Sequence, residues 1–195
     1  MPVLTKVVQP AQKKRTDYDQ GQYTYQLRPL PENIATSIPD VIRQMTTMAL
    51  KDFKKEGTEL PAFNLTTIEG GNYTSANCKG KILVIDTWFV KCGACVREMP
   101  DLNRWVYHYK NRPDVIFLSL CLDDKQTIQQ FLTRTGFAFL IVPDGRSYIE
   151  NALGVSMFPT KILVNKEGKI VKTGNFKSIK RELAMLVATT DQAKP

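Results

Sequence analysis

The spacing of hydrophobic and polar positions changes several times along this chain, and each change predicts an element. Residues 1–33 are polar and turn-prone, with Pro10, Pro29, Pro31 and the cluster Lys13-Lys14-Arg15 but no sustained period. They read as an arm, either disordered or draped over the domain. Ser37-Ile38-Pro39-Asp40 has the form of a helix start, with Ser37 as N-cap and Asp40 in capping-box position. Val41, Met45, Met48, Leu50 and Phe53 follow at near-helical spacing, which predicts an amphipathic helix ending near Gly57 and packing on the domain. From Pro61 the pattern becomes alternation. Phe63, Leu65 and Thr67 lead to Gly70-Gly71, the pattern of a hairpin with a glycine-rich turn.

Three apolar runs then read as buried strands: residues 82–85, 115–120 and 138–142. Between the first two lies a helical stretch, residues 95–110, with Met99, Leu102, Val106 and Tyr109 on one face. Between the second and third lies another, with Ile128, Phe131 and Leu132 preceded by the cap candidates Asp123 and Asp124. This βαβ alternation predicts a sheet with parallel strands and right-handed crossovers. Residues 161–165 and 169–172 flank Lys166-Glu167-Gly168, a hairpin turn, and a last helix runs from about Lys177 with Ile179, Leu183, Leu186 and Val187. No internal repeat is evident. The expected class is α/β: a central mixed sheet flanked by helices over 58–190, an extension of polar arm and helix over 1–57, and a short tail over 191–195.

Composition bounds this picture. A chain of 195 residues allows one ordinary domain plus an appended segment. With 43% hydrophobic and 24% charged residues it is a globular composition, and four cysteines are too few for a disulfide scaffold, so the fold must rest on apolar burial. The formal charge of +8 invites a nucleic-acid or membrane-surface reading, but the basic residues sit beside acids, as in Lys51-Asp52-Phe53-Lys54-Lys55-Glu56, which is the pattern of a solvated surface. No run approaches the ~20 apolar residues of a membrane span. Residues 1–30 lack the apolar centre of a signal peptide, so either the protein stays where it is made or the sequence begins after a removed export signal.

The chemistry concentrates in residues 90–100, Val-Lys-Cys-Gly-Ala-Cys-Val-Arg-Glu-Met-Pro. Cys92 and Cys95 fall where an apolar strand meets a helix start. There the free N–H groups and the helix dipole stabilise an anion. A Cys92 thiolate benefits, with Lys91 and Arg97 adding positive potential, and its pKa is expected below the free value of ~8.5. Cys95, one turn into the helix, should be more buried and less acidic. The division of labour is then Cys92 as attacking thiol and Cys95 as resolving thiol. Asp86 interrupts the apolar run 82–89 where a buried carboxylate is costly. Either it is an acid at a strand end, paired with a lysine or facing solvent, or it is a carboxyl of raised pKa that accepts and returns the Cys95 proton.

Strand, Asp86, Trp88, Cys92-Gly93-Ala94-Cys95 and a helix containing Pro100 resemble the thioredoxin superfamily. The wider frame, residues 79–84 through Glu98-Met99-Pro100 and then residues 158–164 and 166–171, is most similar to its TlpA/ResA-like branch. The resemblance covers roughly residues 58–190. It implies a thioredoxin-like fold, with Pro159 as a cis-proline facing the dithiol and the Phe158 backbone pairing with a substrate chain as an added strand. It also implies a bacterial thiol–disulfide oxidoreductase that reduces protein disulfides, contributes to cell redox homeostasis and is regenerated by a redox-partner protein. Trp88, Gly93, Ala94, Phe158 and Pro159 would form the substrate surface. No metal, flavin or nicotinamide is expected. The implied protein is a monomer in the periplasm or cell envelope, with a membrane tether if an N-terminal signal has been removed and the cytoplasm as the alternative. The chain departs from many relatives at Lys91, where they carry tryptophan, and at Ala94, where proline is common.

Rival readings are weaker on the residues. Zinc would need a second close cysteine pair, and Cys78, Cys121 and His108 are scattered singly. A thiol peroxidase on the same fold typically carries Pro and then Thr or Ser before its reactive cysteine, which Val90-Lys91-Cys92 does not offer. A nucleic-acid module would interleave aromatics with a basic patch. Cys121 reads as a small core filler, Cys78 as a loop thiol either free or in an unexpected disulfide, and His108 as structural or exposed.

Overall fold

The computed structural model describes residues 37–192, which fall into two compact units dividing after Met48. Helix α1 (Ser37–Lys55) runs through that division. The unit from Ala49 onward adds strands β1 (Asn64–Thr66), β2 (Asn72–Thr74) and β3 (Ile82–Trp88), helix α2 (Gly93–His108) and strand β4 (Val115–Cys121). It continues with helix α3 (Lys125–Leu132), strand β5 (Leu140–Val142), a π-helical turn over Tyr148–Ala152, strands β6 (Thr160–Val164) and β7 (Ile170–Gly174), and helix α4 (Phe176–Gln192).

Five strands form one sheet in the order β5-β4-β3-β6-β7. β3–β4 and β4–β5 are parallel, joined through α2 and α3 as the βαβ pattern requires, while β6 runs antiparallel to β3 and pairs with β7 as a hairpin. The hairpin turn places Gly168 at φ 84°, a conformation that costs other residues a Cβ clash. β1 and β2 form the separate two-stranded hairpin expected around Gly70-Gly71.

β3 is central, and all seven of its residues are buried. Its alternate side chains feed two layers. Leu83 and Ile85 pack with Leu118, Leu120, Ile149 and Ile162, and Ile82 and Val84 pack with Leu102, Trp105, Phe117, Leu163, Ile179 and Leu183. Each such side chain contributes roughly 1.5–3 kcal/mol by leaving water. The connection after α2 is pinned by charge. Arg112 donates two hydrogen bonds to Asp114, at 2.9 and 3.0 Å, and reaches Asp191 of α4 at 2.7 Å. Arg112 thereby holds the Asp114 carboxyl well below the usual carboxylate range.

Two expectations are corrected. Leu50 and Phe53 of α1 are 51% and 64% exposed, so this end of the helix does not bury the apolar face its spacing suggested. Backbone holds the chain there instead, with the Gly57 N–H donating to Ile170 and the Ile170 N–H donating to Thr58. β5 is shorter than the apolar run 138–142, because the Ala138 N–H donates to the Asn103 side chain rather than to a strand. The π-helical turn was not anticipated at all. The predicted arm over residues 1–33 lies outside the described residues.

Leu163 of β6 is fully buried in the layer under α2 and α4. Leu163→Ala is expected to lower stability by about 2–5 kcal/mol, measured by urea unfolding. A loss under about 1 kcal/mol would contradict this packing.

Candidate active site

β3 ends at Trp88, four residues before Cys92, and the chain turns directly into α2. Asp123 holds that turn. Its carboxylate accepts the Val90 N–H at 2.7 Å, so of the two cap candidates only Asp124 caps α3, accepting the Thr127 N–H at 2.8 Å. Cys92 is the N-cap of α2, and its Sγ accepts the Cys95 N–H at 3.2 Å. Cys92 and Cys95 form a disulfide with Cα atoms 5.3 Å apart. Both are nearly buried, at 6% and 3% exposure, while Gly93 and Ala94 between them are exposed. A molecule approaching from solvent therefore meets the dipeptide and the edge of Cys92 first.

The Phe158–Pro159 peptide bond is cis. Phe158 packs edge-on against Phe89, ring centroids 5.5 Å apart, and joins the same apolar cluster as the two cysteines. The loop before β6 is thus held against the loop before α2. Both Phe158 and Pro159 remain partly exposed.

Trp88 is fully buried, its ring against Phe131 and Phe137 at 5.5 and 5.6 Å. It lies under the disulfide as packing, with no surface to offer a substrate. Cys121 is also fully buried in this cluster and free, its thiol pushed up by burial, which matches the filler reading. Cys78 is free too, buried in the turn before β3. His108 is exposed, edge-on to Tyr109. Among the described residues no three His, Cys, Asp or Glu side chains group as metal ligands.

Asp86 is 2% exposed and pairs in register with Lys161 of β6. Lys161 is completely buried, with Nζ 3.0 Å from Asp86 Oδ1 and 2.6 Å from Glu98 Oε2. The contact to Glu98 is an aligned hydrogen bond. The contact to Asp86 is an ion pair between two buried groups. Desolvation pushes the Asp86 pKa up to about 6, the Lys161 charge opposing it and the Glu98 charge adding to it. Sequence reasoning singled out Asp86 and missed its two partners. Glu98 stands three residues after Cys95, hence on the same side of α2, and Lys161 interrupts the apolar β6 two residues after the cis-proline.

Comparison with known proteins agrees with this geometry. The Redoxin family matches residues 55–189. The thiol-disulfide oxidoreductase ResA of Geobacillus thermodenitrificans is 32% identical over 116 residues, which cover 60% of this chain and 67% of that protein. The ResA of Bacillus subtilis is 30% identical over 122 residues, 63% and 68% of the two chains. A thiol:disulfide interchange protein from Bacteroides sp. shares the fold, with a TM-score of 0.60 at 22% identity over 68% of this chain and 90% of that one. The chain belongs to the Redoxin family, within the thioredoxin superfamily and on its TlpA/ResA-like branch.

Proposed function

We propose that this protein is a thiol–disulfide oxidoreductase that reduces protein disulfides through Cys92 and Cys95. The observation that carries this reading is the position of their disulfide at the N-terminus of α2, against the cis-proline loop. In the reduced enzyme a Cys92 thiolate is stabilised by the Cys95 N–H and the helix dipole. It attacks a substrate disulfide, one substrate sulfur leaves as thiolate, and the other is joined to Cys92. Cys95 gives up its proton to Asp86 and attacks Cys92 Sγ. The Cys92–substrate bond breaks, the Cys92–Cys95 bond forms, and two electrons have passed to the substrate.

The exposed Gly93 and Ala94 admit the substrate chain, and the backbone at Phe158 and Pro159 offers it an extended partner. Trp88 supports this surface from beneath. A redox-partner protein returns the dithiol. Family resemblance supports a location in the periplasm or cell envelope of a bacterium, where substrate disulfides persist. It acts there as a monomer, with residues 58–190 as the catalytic domain and residues 1–57 as an appended segment.

Cys92→Ser should abolish turnover of a protein disulfide, while Cys95→Ser should accumulate a covalent enzyme–substrate disulfide visible by non-reducing electrophoresis. Equal residual activity in the two variants would contradict the assignment.

The Asp86 proton also couples to stability. Between the ordinary value of 3.8 and about 6, the folded protein keeps a proton that the unfolded chain has lost. The stabilising contribution is therefore complete below about pH 4 and disappears as pH rises through about 6, on the order of 3 kcal/mol. Urea unfolding of the oxidised protein should show this decline, and Asp86→Asn should remove it. The same slope in both proteins would contradict a raised Asp86.

A further inference from the structure

The reaction proposed above leaves one problem of transport. Asp86 can hand its proton back to Cys95 only when the disulfide is reduced again, so to equilibrate with water before then it needs an exit, and at 2% exposure on a strand buried along its whole length it has no direct one. The group in contact with it is the Lys161 ammonium, itself without exposure. Lys161 in turn touches Glu98, whose side chain is 33% exposed. One lysine thus joins a carboxylate on β3 to a carboxylate on α2 that reaches the surface, and Glu98 lies three residues along the same helix from Cys95.

Structural need accounts for only half of this arrangement. One carboxylate neutralises one lysine, and a buried ion pair is seldom more stable than apolar side chains of the same volume. The second carboxylate brings like charge toward Asp86 and raises the cost. Its contribution is contact with solvent. We propose that Lys161 is a positioning residue that links Asp86 to Glu98 as the proton exit of the resolving step, a role that rests on the oxidoreductase reading.

The balance is simple. As Cys95 attacks Cys92, its proton goes to the Asp86 carboxylate and the substrate leaves as thiolate. Asp86 then passes a proton to Lys161 while the Lys161 ammonium passes one to Glu98, which releases it to water. Lys161 ends as it began, and no external oxidant or reductant is needed. The groups bearing on Asp86 are Lys161 from β6, Glu98 from α2 and Cys121 from β4, whose thiol burial keeps neutral. Ser119, the register partner of Asp86 on β4, is uncharged.

The test separates this role from a packing role. Reduced full-length protein is mixed with one equivalent of a dithiobis(nitrobenzoate) reagent, so that attack by Cys92 releases the first coloured thiolate and resolution by Cys95 releases the second. The pH dependence of the second release reports Asp86. In Lys161→Met the acid limb should move to higher pH by about one unit or more, slowing resolution about tenfold near pH 5 and less toward neutral pH, with recovery near pH 9. In Glu98→Gln the limb should move the opposite way, to lower pH, while multiple-turnover rates fall several-fold because the exit is lost. Should Lys161→Met fail to fold, Lys161→Arg and Glu98→Gln carry the test, the arginine variant keeping the limb near its original pH. Limbs unmoved in Lys161→Met and Glu98→Gln, or an unmoved limb in Glu98→Gln when that variant alone can be read, would overturn the proton exit and leave the oxidoreductase intact. A wild-type protein that never releases the second thiolate would instead overturn the oxidoreductase reading.

Discussion

A carboxylate on a strand with neighbours on both edges and packing on both faces cannot be solvated, so it must be neutralised from within the sheet. β3 poses this constraint at Asp86, and much of the site follows from it. The cation has to come from an adjacent strand, and β6 supplies Lys161 directly opposite. Because β6 begins at the cis-proline loop, the register that brings Lys161 to Asp86 also brings Pro159 toward the end of β3, where the chain turns into α2. Electrostatic compensation and the placement of the cis-proline loop are thus set by one strand pairing.

The disulfide depends on the same strand in another way. β3 delivers the chain to the N-terminus of α2, and the Asp123 carboxylate fixes the intervening turn by taking the Val90 N–H. Cys92 then occupies the N-cap and Cys95 faces inward one turn later. The asymmetry between an attacking and a resolving thiol is a consequence of helix geometry: the first position of a helix presents its side chain to free amides, and the fourth is turned toward the core.

Much of this was legible in the sequence because it is local. The apolar runs that became β3, β4 and β6, the helix after the dithiol and the Lys166-Glu167-Gly168 turn all carry their signals within a few residues. Asp86 stood out because it breaks such a run. Its partners did not, since the pairing of Asp86 with Lys161 spans most of the domain and is decided by strand register, which no local period encodes. Glu98 looked like one more polar helix position, and only the buried lysine across the sheet gives it a role. The exposed apolar residues of α1 show the converse, a clear helical period whose burial the period alone could not establish.

The central claim is that Cys92 and Cys95 form a reversible two-electron couple, and equilibration of the protein in thiol buffers of graded potential, with mass-spectrometric counting and mapping of free thiols, tests it most directly. The account predicts one transition in which Cys92 and Cys95 change state together while the buried Cys78 and Cys121 stay reduced throughout. A midpoint near the thioredoxin value of about −270 mV would match a reductase, whereas one near −120 mV would contradict the reducing direction. No reversible disulfide at this pair, or one that recruits Cys78 or Cys121, would contradict the account as a whole.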